Sequence, residues 1–284
     1  MIELSQTQPG RAVAPVGRSN AGSALLGFHS LLMYLFLYAP IVVLVVFSFT
    51  TDSFGVRWTG FTLQWYERLF ADNRLMGAAM NTLTVALIST LVATTIGTML
   101  ALAMERYRFR MRGGLEALLY LPIVIPEIVM ALALLAFFAF SFGIIDALTG
   151  SRPTMGLGTV IISHIAFTIS FVVVVVRTSL KGFDMRLEEA AQDLGANEWN
   201  TFRHITLPLI LPGIIGGALL GFTISLDDFI ITFFTTGPGV SLLPVEVYGQ
   251  VKRAITPKIN ALSTIMLLLS ISLVFLSQFL QRRR

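Results

Sequence analysis

The chain has 284 residues; 55% are hydrophobic, only 13% are charged, and the mean hydropathy is +0.79. Soluble domains carry about 25% charged residues, so a soluble globular fold is excluded and an all-α integral membrane protein is expected. The absence of cysteine excludes disulfides and thiolate metal sites, and the net charge of +4 fits basic loops beside a lipid bilayer with no role in binding nucleic acid.

A helix needs roughly 20 apolar residues to cross a bilayer, and six windows qualify: 25–50, 75–104, 117–145, 154–176, 205–234 and 259–281. They predict six transmembrane helices in one domain, residues 24–284. Residues 1–23, rich in Gly, Pro, Ser and Ala, read as a flexible tail. The first window is too long for the apolar region of a signal peptide and no cleavage site follows it. Thirteen of the 20 basic residues fall on the segments that share a side with the termini, and Arg106, Arg108, Arg110 and Arg112 form the densest cluster. Basic loops stay inside, so both termini are expected in the cytoplasm.

Between the first and second windows, Trp65 and Tyr66 suit a membrane–water boundary, and with Leu69 and Phe70 they predict a short helix. In the third window Glu127 follows Pro126, and Pro122 lies four residues before Pro126. A carboxylate there either lines a path for cations or accepts bonds from backbone groups that the prolines free.

Between the fourth and fifth windows lies a polar segment, residues 184–206, too charged for membrane. Leu187, Ala190, Ala191 and Leu194 recur at helical spacing on one face, with Glu188, Gln192 and Asp193 on the other. Gly195 stands where a helix C-terminus needs it, Asn197 suits the N-cap of a second short helix, and Pro208 suits the first turn of the fifth span. Trp199, Phe202 and Ile205 share the second helix. Small alanines permit close approach, which favours docking of a partner protein over packing on the chain's own bundle.

Late in the fifth window stand Ser225, Asp227 and Asp228. Intramembrane carboxylates cost at least about 2.5–3.5 kcal/mol each if lipid-facing. Asp227, Asp228 and Glu127 therefore line a cation path, or they pair with bases and cap a broken helix. Tyr248, Phe229 and Phe233 offer ring faces to a cation near the same mouth. Beyond them, Gly237-Pro238-Gly239 predicts a turn followed by a short helix over 242–251. Lys252, Arg253 and Lys258 offer positive charge to an acidic partner. His29, His164 and His204 share no metal spacing, and no catalytic constellation is visible.

Glu189-Ala190-Ala191, then three residues, Gly195, nine residues, Ile205, one residue and Leu207-Pro208 resemble the EAA loop of ABC-importer permease subunits. Gly60-Phe61-Thr62, Trp65-Tyr66, Leu180-Lys181-Gly182-Phe183-Asp184, Ser225-Leu226-Asp227-Asp228 and Thr256-Pro257-Lys258 extend the resemblance to permeases of the spermidine/putrescine importer family. The resemblance implies a type I ABC-importer permease architecture with a cytoplasmic coupling helix, in which Glu189, Ala190, Ala191, Gly195, Leu207 and Pro208 dock an ATPase. It implies a second homologous permease as heterodimer partner, two ATPase subunits, a periplasmic substrate-binding protein, and residence in a bacterial inner membrane. The chain contains no Gly-Lys pair and hence no phosphate loop of the Walker A kind. No cofactor is expected in this chain, no enzymatic activity of its own, and Mg-ATP is expected on the separate ATPase. Two other readings stay open: a permease for a different amine or small solute, and an ion-coupled secondary transporter, for which paired repeats would be the mark.

Overall fold

The computed structural model describes residues 20–55, 57–254 and 256–282, and it is helical almost throughout. The expected tail at 1–23 lies outside the described residues except for its end, which is already helical: α1 runs Asn20–Phe47. This helix is apolar and exposed along its length, and it leans on the last helix of the chain. After it the backbone turns, and Thr50 bridges to Phe61.

The short helix expected near Trp65 is α2, Gln64–Phe70. Its Trp65 is only 6% exposed, and the indole N–H donates to the Thr50 carbonyl at 2.7 Å. Trp65 is therefore a buried pin between α2 and the preceding turn, which corrects its reading as a membrane-boundary anchor. A tryptophan serves either role by burying its rings and bonding its N–H, so the residue type alone did not decide.

The bundle is built on three helices, α3 (Asn73–Arg106), α6 (Leu157–Lys181) and α9 (Leu207–Asp227), which pack on one another more than any other elements. Small residues let them approach. A Cβ at Gly213 of α9 would stand 2.0 Å from Ser179 Oγ, and one at Gly221 would stand 2.5 Å from Thr168 Cγ2. Without a hydrophobic drive between helices in lipid, such close backbone contact supplies the association. At 34 residues α3 is about 51 Å long, more than the roughly 30 Å of a hydrocarbon core.

The third window is not one helix. It is divided into α4 (Arg112–Val124) and α5 (Glu127–Thr149), with Ile125 and Pro126 extended between them. Proline favours an extended residue before it and cannot donate to the preceding turn. The polar segment folds as α7 (Arg186–Asp193) and α8 (Glu198–Thr201), and α8 passes through a π-turn at Phe202–Thr206 directly into α9. Pro208 stands in the first turn of α9, as expected, and the π-turn leads into it without a gap. The fifth span also ends earlier than expected, at Asp227; after Asp228 and Phe229 comes the short helix α10, Ile230–Thr235. Then follow α11 (Leu243–Val251) and α12 (Pro257–Arg282). Among the described residues, five helices are long and apolar enough to cross a membrane, and Pro257–Ser272 of α12 forms a shorter apolar stretch.

Ion pairs mark both ends of the bundle. At the α7 end, Arg177 of α6 donates to Glu105 of α3 at 2.7 Å and to Glu116 of α4 at 2.8 Å. The guanidinium holds the Glu116 carboxyl below the ordinary carboxylate range. At the α11 end, Arg74 pairs with the buried Glu246 at 2.9 Å. Lys258 pairs with Asp72, whose carboxylate caps α3 by accepting from the N–H groups of Arg74 and Leu75. Lys258, expected to meet an acidic partner, is engaged within its own chain.

Candidate functional site

Two places hold the candidate residues, one at each end of α9. The first is the turn between α7 and α8. Gly195 has φ +88°, the Gly195 N–H donates to Gln192, and the Ala196 N–H donates to Ala191. These two bonds close the helix C-terminus in the arrangement that requires a left-handed residue, which glycine adopts without strain. Asn197 caps α8 by accepting from the Asn200 N–H at 2.8 Å. Both boundary expectations therefore hold.

The faces of α7 differ from the expectation in one residue that matters. Glu188, assigned to the polar outer face, is 8% exposed and bonds Arg106 of α3 and the Thr206 hydroxyl of the π-turn. The charge turns inward because Arg106, at the end of α3, supplies a partner there. The apolar side chains are left outside: Leu187, Leu194 (90% exposed) and Trp199 are uncovered, beside the exposed Glu189 and Ala190 and the half-buried Ala191. A salt bridge thus fixes α7 from behind while its apolar face stands open. Leu207 is half-buried and Pro208 exposed at the base of α9. His204 is exposed and lies 3.0 Å from the Asn200 carbonyl through Nδ1.

The second place is the break between α9 and α10. Asp227 is the last residue of α9 and is exposed. It lines a cavity of about 360 Å³ with Phe229, Pro244, Val247, Tyr248 and Met266. The Phe229 and Tyr248 rings lie 4.6 Å apart between centroids, and Phe233 stands 6.4 Å from Tyr248. Asp227 makes no hydrogen bond or ion pair among the described residues. A carboxylate and aromatic rings around one cavity are chemistry that attracts organic cations.

Asp228 points the other way. It is 7% exposed and accepts from the Thr232 N–H at 2.8 Å, the Thr232 hydroxyl at 3.0 Å and the Ile231 N–H at 3.3 Å, so it caps α10. The His164 ring of α6 lies 3.1 Å away through Nε2. Glu127, half-buried at the start of α5, reaches Asp228 with its own carboxyl group. Two carboxyl groups in contact are stable only with positive charge between them, a proton or a cationic group. Sequence reasoning joined Asp227 with Asp228; the structure separates them and joins Asp228 to Glu127. It also missed His164, set aside for want of metal spacing. The signal was present: a titratable side chain in the middle of an apolar span is a functional candidate by itself. Among the described residues, no group of three or more His, Asp or Glu side chains is arranged to hold a metal ion.

The family described as "Binding-protein-dependent transport system inner membrane component" matches residues 93–284. The chain belongs to this family. The permease is 42% identical over 261 residues to the spermidine/putrescine transport system permease protein PotC of Escherichia coli (strain K12), covering 92% of its own length and 95% of the relative's. It is 38% identical over 238 residues to the putrescine transport system permease protein PotI of the same strain, covering 84% of itself and 83% of that relative. Among solved structures, it superposes with TM-score 0.76 and 20% identity, over 93% of this chain and 95% of that one, on a permease chain of a bacterial ABC transporter involved in the import of the acidic polysaccharide alginate. At that identity the likeness shows the fold alone, which is the type I ABC-importer permease architecture.

Proposed function

We propose that this permease passes a polyamine-like cation, of the spermidine or putrescine kind, from a periplasmic binding protein into the cytoplasm. The observation that carries the reading is the cavity where Asp227 meets Phe229 and Tyr248. The names of the relatives at 42% and 38% identity point to the same cargo. The likeness to an alginate importer adds nothing on cargo, because one fold there serves a polyanion. The half-buried Glu127 supplies a second acidic group along the path, with Asp228 behind it in the bundle. Each ammonium group of a polyamine meets a carboxylate in turn, and solvent exposure at Asp227 keeps binding weak enough for release.

ATP hydrolysis belongs to a separate subunit that docks on the α7–α8 turn through Glu189, Ala190, Ala191, Gly195, Leu207 and Pro208. The open apolar face of α7 and α8 supports this docking. Both termini then lie in the cytoplasm with that turn, and the α11 end faces the periplasm, in keeping with the excess of basic residues at the α7 end. The working assembly is a heterodimer with a second homologous permease, two ATPase subunits and the binding protein.

The test is amine-stimulated ATP hydrolysis and uptake by the reconstituted assembly. In the Asp227→Asn variant, loss of one charge-assisted contact should raise the half-saturating spermidine concentration at least about tenfold. An unchanged value would remove Asp227 from the path and leave a different amine or solute as cargo. Uptake that follows a proton gradient without ATP would overturn the importer reading altogether.

A further inference from the structure

His164 is the most deeply buried titratable side chain that the transport reading leaves without a task. It is 2% exposed, on the apolar helix α6 at the level of the α9–α10 break. Its ring makes three contacts: Nδ1 lies 2.7 Å from Ser225 Oγ, and Nε2 lies 2.9 Å from Thr232 Oγ1 and 3.1 Å from Asp228 Oδ2. The Ser225 hydroxyl in turn lies 3.1 Å from that of Ser89 on α3. Nε2 faces the carboxylate of Asp228 and Nδ1 the hydroxyl of Ser225. One imidazole thus ties the broken helix to both other central helices. The charged groups facing it are Asp228 and, behind that, Glu127; among the described residues no lysine or arginine pairs with either.

We propose that His164 is a positioning residue for the cation site, holding Asp228 inward so that Asp227 and Phe229 are displayed to the cavity. This rests on the reading of Asp227 given above. The argument is local geometry. Asp228 is where the chain leaves the helix, with φ −64° and ψ 119°. With Asp228 clamped against α6 and α10, its neighbours Asp227 and Phe229 stand on the other side of the break, where both line the cavity. The N–H groups of α10 hold Asp228 from one side only. His164 holds it from the bundle side, and through it the break is registered to α6. Without that hold, the break is free to shift along the α9 axis, and the carboxylate and ring lose their common orientation.

The experiment uses the whole reconstituted assembly in nanodiscs, with spermidine and putrescine as probes. His164→Ala should raise the half-saturating amine concentration about tenfold and change the maximal rate less than twofold, the size expected for one hydrogen bond to a buried charge. His164→Gln, whose amide N–H reaches the place of Nε2, should return the value to within about threefold of the natural protein. His164→Asn, whose shorter amide reaches only the place of Nδ1, should behave as alanine does. The decisive readout is the double-mutant cycle: in the Asp227→Asn background, His164→Ala should have no further effect on half-saturation. Additive effects overturn the proposal. So does a fall in maximal rate shared by Ala, Asn and Gln with half-saturation unmoved, since that pattern belongs to packing. If His164→Ala fails to insert, the contrast between Gln and Asn decides alone. An Asp227→Asn variant with unaltered half-saturation defeats the cation-site reading itself; a strong Asp227 effect with silent His164 variants defeats only the positioning role.

Discussion

Asp227 and Asp228 are chain neighbours with opposite surroundings. One stands open in an aromatic cavity; the other is enclosed by the first turn of α10, His164 and Glu127. Residue type is the same, so environment alone assigns their tasks. The same lesson holds at Asp72, where a carboxylate caps α3 and pairs with Lys258. The hydrogen bond from Lys258 is the largest influence on it and holds its carboxyl below its ordinary value of 3.8. Because the folded value is depressed, the stability it adds is fully present above about pH 3.8 and is lost as pH falls through the folded value. Replacing Asp72 by Asn should therefore lower the thermal midpoint at pH 6 and have a smaller effect at pH 3, measured on the detergent-solubilised permease. Both partners are partly exposed, so the shift should not exceed about 2 °C. A larger loss at pH 3 than at pH 6 would contradict the sign.

Breaks in helices do the positioning at the scale of elements. α4 and α5 part at Pro126, which sets Glu127 at a helix start; α9 and α10 part at Asp228, which brings its carboxylate to that same glutamate. The prolines near Glu127 were readable as a break. The end of α9 was readable only as a suggestion from Ser225 and the aspartates. What holds α9 in place against α6 is the run of buried glycines at 213, 217 and 221. Replacing Gly221 by Leu drives its side chain into Thr168 and should cost about 1–3 kcal/mol by overpacking. Replacing the half-exposed Leu220 by Ala should change stability by no more than about 0.5 kcal/mol. Thermal unfolding in detergent separates the two; equal effects would mean that the α6–α9 contact is not the determinant.

Among the described residues, apolar side chains stand uncovered along the spans, most of all on α1 and α5, and also on the outer face of α7 and α8. Lipid suits the spans, but α7 carries too much charge for lipid. Its uncovered face therefore belongs with the docking role proposed for it. Glu189→Lys and Gly195→Asp should each abolish uptake and co-purification of the ATPase while the permease remains in the membrane at its usual level. For Gly195 the cause is backbone geometry, since a side chain at φ +88° is strained by about 1–2 kcal/mol. Retained co-purification with both variants would free the turn from the docking role.

By itself the sequence determined the membrane class, most of the spans, the glycine-closed turn at Gly195 and the cap at Asn197. Each of these depends on composition or on spacing along one helix, which local physics decides. Only the tertiary structure decided which charges meet. Glu188 turned inward because Arg106 arrives from a helix that ends 82 residues earlier. Asp228 parted from Asp227 because α6 and α5 present His164 and Glu127 on one side of it. Spacing along a helix tells which residues share a face. It cannot tell which face finds a partner, because the partner comes from another helix and its reach is set by how closely glycine lets the helices pack.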